Sequence, residues 1–191
     1  MVRSSLICLT AALLSACGSA GGNGKLTPTL DGAILAPDGA APVLTDFVNV
    51  CSALVLDGKE PASVFPVLGW EIPDEASTAE MTAFGGVMAD KDQAGQIPLS
   101  LQLIPMGFPH LEGATCTVSA FGGSDVGSVN IADLDGIDGL TGKVDTFEGD
   151  GDSVALGRWS GVAKDGAVVM IYAMKTNRGE FLNLSLTKSK P

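Results

Sequence analysis

The chain has 191 residues, with 11 Lys plus Arg against 22 Asp plus Glu and a net charge of −11. That balance lacks the basic footprint that nucleic-acid binding needs, and it works against charge-driven binding to anionic lipid headgroups. A single histidine excludes a His-rich metal site, and the P-loop and dinucleotide fingerprints are missing.

From the N-terminus, Ser4 to Leu14 is an apolar run preceded by one positive charge, Arg3. At about 11 residues it is too short for a bilayer core, which needs ~20. A basic head, a short apolar body and small residues at the end describe a secretory signal peptide. The end of the run, Leu14-Ser15-Ala16-Cys17, resembles the lipobox of bacterial lipoproteins. The resemblance implies cleavage between Ala16 and Cys17, acylation of the Cys17 thiol and acylation of the new N-terminus. Several acyl chains anchor stably where one binds only marginally. Gly18, not Asp, follows Cys17, which by resemblance to Gram-negative lipoproteins implies the outer membrane, facing the periplasm.

The expected segments are a signal peptide over 1–16, a Gly/Ala/Pro-rich tether over 17–44 and one globular domain over 45–191. Disordered throughout, the tether would span about 30 Å. Its middle, "TLDGAILAPDG", has apolar residues that could dock or form a short strand.

In "TDFVNVCSALVLDG", Phe47, Val50, Cys51 and Leu54 recur at helical spacing, with Thr45 as a cap and Asp57-Gly58 as a stop. Pro61 suits a first helical turn, and Pro66 should bend or end that helix. Trp70 follows as a core or lid residue. "STAEMTAFGGVMADKD" opens with the capping-box pattern Ser77-x-x-Glu80 and places Met81, Phe84 and Met88 on one helical face. Gly85 and Gly86 weaken that helix by about 1 kcal/mol each.

After Gly95 the period becomes two. Leu99, Leu101 and Leu103 form one strand, and Cys116 and Val118 lie on a second, with "MGFPHLEG" between them. A Gly-rich helix is expected around Ile131, Leu134 and Ile137, then an acidic, turn-rich "KVDTFEGDGD". A meander closes the chain: Val154 to Val162, a Lys164-Asp165-Gly166 turn, Val168 to Lys175, and "EFLNLSLTK" with Leu182, Leu184 and Leu186 facing inward. Helices first and strands later predict an α+β domain. The expected sheet has five or six mainly antiparallel strands, with N-terminal helices on one face. The order "FVNVC", "LGW", "CTV" and a closing meander is similar to small uncharacterised secreted proteins of alphaproteobacteria, a resemblance that implies no catalytic residues.

Cys8 leaves with the signal and Cys17 carries lipid, so Cys51 and Cys116 remain. Two thiols in an oxidising compartment read as one disulfide, against a rival pair of free buried thiols. Such a bond would add roughly 4 kcal/mol on the chain-entropy model. It would staple the first helix to the second strand.

Catalytic chemistry finds few carriers. A Ser-His-Asp triad would have to use His110, in a Pro-flanked loop, and the G-x-S-x-G elbow is absent. Asp133, Asp135 and Asp138, and Glu148, Asp150 and Asp152, tempt a calcium reading, but neither set fits the EF-hand template. No catalytic residue, metal or cofactor is therefore assigned. The expectation is a non-enzymatic envelope lipoprotein that is membrane-tethered, with a binding or structural role and an envelope protein as partner. The alternative is a small-molecule binder or weak hydrolase with a pocket between helices and sheet, drawing on Trp70, Arg158, Trp159 and His110; a lesser one is a domain stabilised by calcium at an irregular acidic site.

Overall fold

Strand alternation dominates the second half of the chain, and the strands it produces form one sheet. The computed structural model describes residues 29–30, 34–74, 85–92, 97–106, 111–122, 124–149, 152–176, 181–189 and 191. The strands are β1 (Thr29–Leu30), β2 (Val87–Lys91), β3 (Leu99–Pro105), β4 (Leu111–Phe121), β5 (Thr141–Gly149), β6 (Asp152–Ala163), β7 (Val168–Thr176) and β8 (Phe181–Ser189). The helices are α1 (Pro42–Cys51), continued by a π-helical turn (Ser52–Leu56), α2 (Pro61–Leu68), α3 (Ser124–Ser128) and a 3-10 turn (Ile131–Gly136).

The domain is α+β, but among the described residues its antiparallel strands number seven, in the order β5-β6-β7-β8-β4-β3-β2, rather than five or six. The two-residue β1 adds in parallel at Val162 and Ala163 of β6, beyond the stretch that β5 covers. Two meanders, β2-β3-β4 and β5-β6-β7-β8, meet where β4 pairs with β8.

The inner face carries the core. Leu182, Leu184 and Leu186 of β8 lie against Ala120, Val118 and Cys116 of β4, all essentially inaccessible to solvent. Full burial of each leucine is worth about 2 kcal/mol. Onto this seam α1 lays Leu44, Phe47, Val48 and Cys51, and a disulfide joins Cys51 to Cys116, with Cα atoms 5.4 Å apart. Lys91 of β2 also points inward, and its ammonium meets Asp46 of α1 at 2.7 Å, tying the helix to the sheet's edge. The crossover between β4 and β5 covers the other end of the face with Val126, Val129, Ile131, Leu134 and Ile137, all buried. Lys175 of β7 donates to the Gly127 carbonyl at 2.6 Å and to that of Val129. Burial lowers its pKa.

Several expectations shift. Helix α1 opens at Pro42, not near Thr45, because proline's fixed φ suits a first helical position. The packed body reaches back beyond the expected boundary at Thr45, with Leu30 and Ile34 in the core. Pro66 sits inside α2, which ends two residues later at Leu68, with the left-handed Gly69 as its C-cap. Val87–Lys91 is a strand and not the end of a helix. Gly85 takes a left-handed φ of 72° that breaks a helix, and beyond it Ala89 and Lys91 are buried while Asp90 is exposed. The proposed capping box at Ser77 and Glu80, with Met81 and Phe84, lies outside the described residues. Leu111 to Gly113 belong to β4 rather than to a loop, and "KVDTFEG" is most of β5 rather than a run of turns.

The disulfide and the β6–β7 turn each lend themselves to direct tests. Replacing Cys51 and Cys116 together by alanine should lower stability by roughly 4 kcal/mol on the chain-entropy model, read by denaturant unfolding. Alkylating the denatured, unreduced protein should leave both thiols unmodified. At the β6–β7 turn, hydrogen bonds from the Lys188 ammonium and the Ala167 N–H hold the Asp165 carboxyl below its ordinary pKa. A carboxylate depressed in the folded state stabilises above its unfolded pKa, and that contribution fades as pH falls through the folded value. Asp165→Asn should therefore lower the melting temperature at neutral pH, and the gap to wild type should close well below the unfolded Asp pKa of about 3.9.

Candidate functional site on the uncovered face of the sheet

The outward-facing side chains divide into two regions. On β3, β4 and β8 they are chiefly polar: Ser100, Gln102, Thr117, Ser119, Asn183 and Ser185. Asn183 donates to the Ser119 hydroxyl at 2.9 Å across the β4–β8 seam. On β5, β6 and β7 they are largely apolar. Phe147 is 56% exposed, Tyr172 50%, Leu156 40% and Met174 37%. Among the described residues no helix lies over them, and these apolar side chains are open to solvent.

Phe147, Leu156, Tyr172 and Met174 line a groove of about 370 Å³, with Asp145, Arg158 and Asn183 as its polar members. A hollow of about 250 Å³ adjoins it, shares Arg158 and Tyr172, and adds Lys143 and Met170. Charge is concentrated on β5. The Asp145 carboxylate receives the Lys143 ammonium at 2.7 Å and the Arg158 guanidinium at 3.8 Å. These side chains are well exposed, so the pairs add little stability. The groove offers aromatic and thioether surface with one cation–carboxylate cluster at its rim, which suits recognition of an amphipathic partner surface.

The residues singled out from the sequence fall in different places. Trp159 is 2% exposed and lies on the inner side of β6. Its ring spans two glycines: a Cβ at Gly142 would come within 2.1 Å of the indole and one at Gly157 within 2.2 Å. Its Nε1 donates to Asp135 at 2.6 Å. Asp133, also in the 3-10 turn, accepts from Asn130. Two of the aspartates of the calcium reading are thus engaged with neighbours, and the described residues contain no group of three or more candidate metal ligands. Trp70 is 3% exposed, with the Lys91 ammonium 5.9 Å from its ring centre. Arg158 and Trp159 both border the smaller hollow although their side chains lie on opposite faces of β6, but Trp70 borders neither hollow, so the structure does not gather all three around one cavity. His110 and Cys17 lie outside the described residues.

The groove residues Phe147, Leu156, Tyr172 and Met174 escaped the sequence reading. The one available signal is that Val168 to Lys175 is apolar on both faces, a pattern that predicts a central strand. Among the described residues β7 is flanked by β6 and β8, and its outward side chains are open to solvent. No protein-family model matches the chain, and no curated protein or solved structure matches it significantly.

Adjacent residues of β6 separate the face from the core. Leu156→Ser, on the outer face, should change stability by no more than about 0.5 kcal/mol. Gly157→Val drives a side chain into Trp159 and should destabilise by about 2 kcal/mol or more. Denaturant melts of the two variants make the comparison.

Proposed function

We propose that this protein is a non-enzymatic, lipid-anchored domain of the bacterial cell envelope that binds a protein partner through the outer face of β5, β6 and β7. The observation that carries the binding role is the exposed groove of Phe147, Leu156, Tyr172 and Met174. Contiguous exposed apolar surface with a polar rim is characteristic of interaction sites, and aromatic side chains and arginine dominate binding energy there. The Leu14-Ser15-Ala16-Cys17 sequence supports the anchor, with Cys17 as the acylated residue. The acidic surface favours a protein partner over nucleic acid. The segment from Gly18 supplies the tether, and sorting to the outer membrane follows from the same lipoprotein resemblance.

The test joins anchor and face. Cys17→Ala should abolish metabolic lipid labelling and release the domain from the membrane fraction; labelling that persists in this variant overturns the anchor. In cells carrying the anchored protein, cross-linking should capture one dominant envelope protein. Phe147→Ser combined with Tyr172→Ser should abolish that capture without loss of the folded domain. Capture unchanged by the double substitution moves the binding role away from this groove.

A further inference from the structure

The two edges of the sheet are treated differently. At the β2 edge, Glu71 and Asp90 exchange two backbone hydrogen bonds, each 2.8 Å, so the chain itself covers that edge. At the other edge, nothing among the described residues pairs with the outer side of β5. Its nine residues run in unbroken register with β6, from Thr141 opposite Ser160 to Gly149 opposite Asp152. It contains no proline and no bulge, two of the devices that normally blunt an exposed edge. Thr141, Val144, Thr146 and Phe147 are residue types that favour strands.

We propose that a second copy of the chain pairs with this edge, β5 antiparallel to β5, about a two-fold axis through Val144. The register follows from geometry and charge. An axis normal to the sheet keeps inner and outer faces continuous across the seam, which requires it to pass through a residue position. Centred on Lys143 or Asp145, it sets like charges directly opposite each other. Centred on Thr146, it leaves Asp145 facing Phe147; centred on Gly142, it leaves Lys143 facing Thr141. Centred on Val144, it places Lys143 of each copy opposite Asp145 of the other, twice over. Phe147 then lies across from Thr141, and the two half-buried valines meet on the inner face. Opposite charges directly across a strand pair are favourable, and like charges are not.

Single-copy electrostatics point the same way. Lys143 stands directly across from Arg158 of β6, two cations side by side, with Asp145 serving both. The second copy brings another carboxylate to the open side of Lys143. One strand seam is small for an interface, so the dimer dissociates on dilution. This inference concerns the backbone edge of β5, whose Lys143, Asp145 and Phe147 also border the two hollows, and it does not depend on the lipid anchor.

The experiment uses the full-length protein in mild detergent, with sedimentation equilibrium across a concentration series. Wild type should show a monomer–dimer equilibrium. Lys143→Asp alone and Asp145→Lys alone should each weaken it by about tenfold or more, since each creates two like-charge pairs. The double swap should bring it back to within about threefold of wild type. Thermal unfolding checks that the exposed substitutions leave the fold intact. Should a charge variant fail to fold, Val144→Cys reads the register instead. It should cross-link to itself under mild oxidation, and Thr141→Cys, displaced along the seam, should not. A protein that stays monomeric at the highest attainable concentration overturns the proposal. So does a dimer indifferent to the reversals, a double swap without rescue, or equal cross-linking at both positions.

Discussion

The β4–β8 seam is the contact on which the remaining elements depend. It joins two meanders that are otherwise separate ribbons, and its pairing runs from Leu111 with Ser189 to Phe121 with Phe181. Strands this far apart in sequence meet only after a large loss of chain entropy, so the seam needs strong local compensation. It has that on the inner face, where three leucines of β8 meet Cys116, Val118 and Ala120. Helix α1 and its π-helical continuation cover this patch, and the Cys51–Cys116 bond fixes the helix over it. Disulfide, helix and seam therefore act at one place and hold it dry together.

The second meander is covered differently. Among the described residues no long helix reaches it, and the crossover segment serves instead, with the short α3, a 3-10 turn and scattered apolar residues. So thin a cover must lie close to the sheet. Trp159 makes that possible by lying flat, and it lies flat because Gly142 and Gly157 leave no side chain beneath it. The hydrogen bond from its indole to Asp135 then binds the 3-10 turn down onto the ring. Lys175 adds two bonds to crossover carbonyls near the far end of the same strands. An aromatic on a glycine platform here replaces the helix that the first meander has.

These details explain which parts of the fold were legible in the sequence. Strands β3 and β8 and the central part of β4 have one face packed, so their apolar residues alternate and betray them, while β6 and β7 are apolar runs marked off by the turn between them. Strand β5 hides because both its faces are largely exposed. Lys143, Asp145 and Glu148 therefore fall among threonines and glycines with no apolar period, and the segment reads as acidic turns. Strand β2 hides for another reason. Met81, Phe84 and Met88 happen to sit at helical spacing, and only the left-handed Gly85 and the buried Lys91 show the change of period. Lys91 misleads any sequence reading, since an inward lysine is acceptable only beside a partner such as Asp46, 45 residues away in the chain. The groove was illegible because it is built from alternate residues of strands whose pairing no local pattern reveals.

What remains is why the outer face of β5 to β7 is apolar at all. Core packing does not demand it: Leu156 and Arg158 point outward, while the neighbouring Gly157 and Trp159 supply the inward packing. The polar half of the same face shows that a serine-, threonine- and asparagine-rich surface is compatible with this sheet, and Asn183 even gains a cross-strand hydrogen bond from it. An exposed phenylalanine, tyrosine, leucine and methionine on neighbouring strands raise the risk of unwanted association without strengthening the fold. A strongly acidic surface elsewhere lowers that risk by mutual repulsion. Under the proposed binding role, the net charge of −11 and the apolar groove act together: repulsion opposes non-specific association while a limited patch stays available for a specific contact.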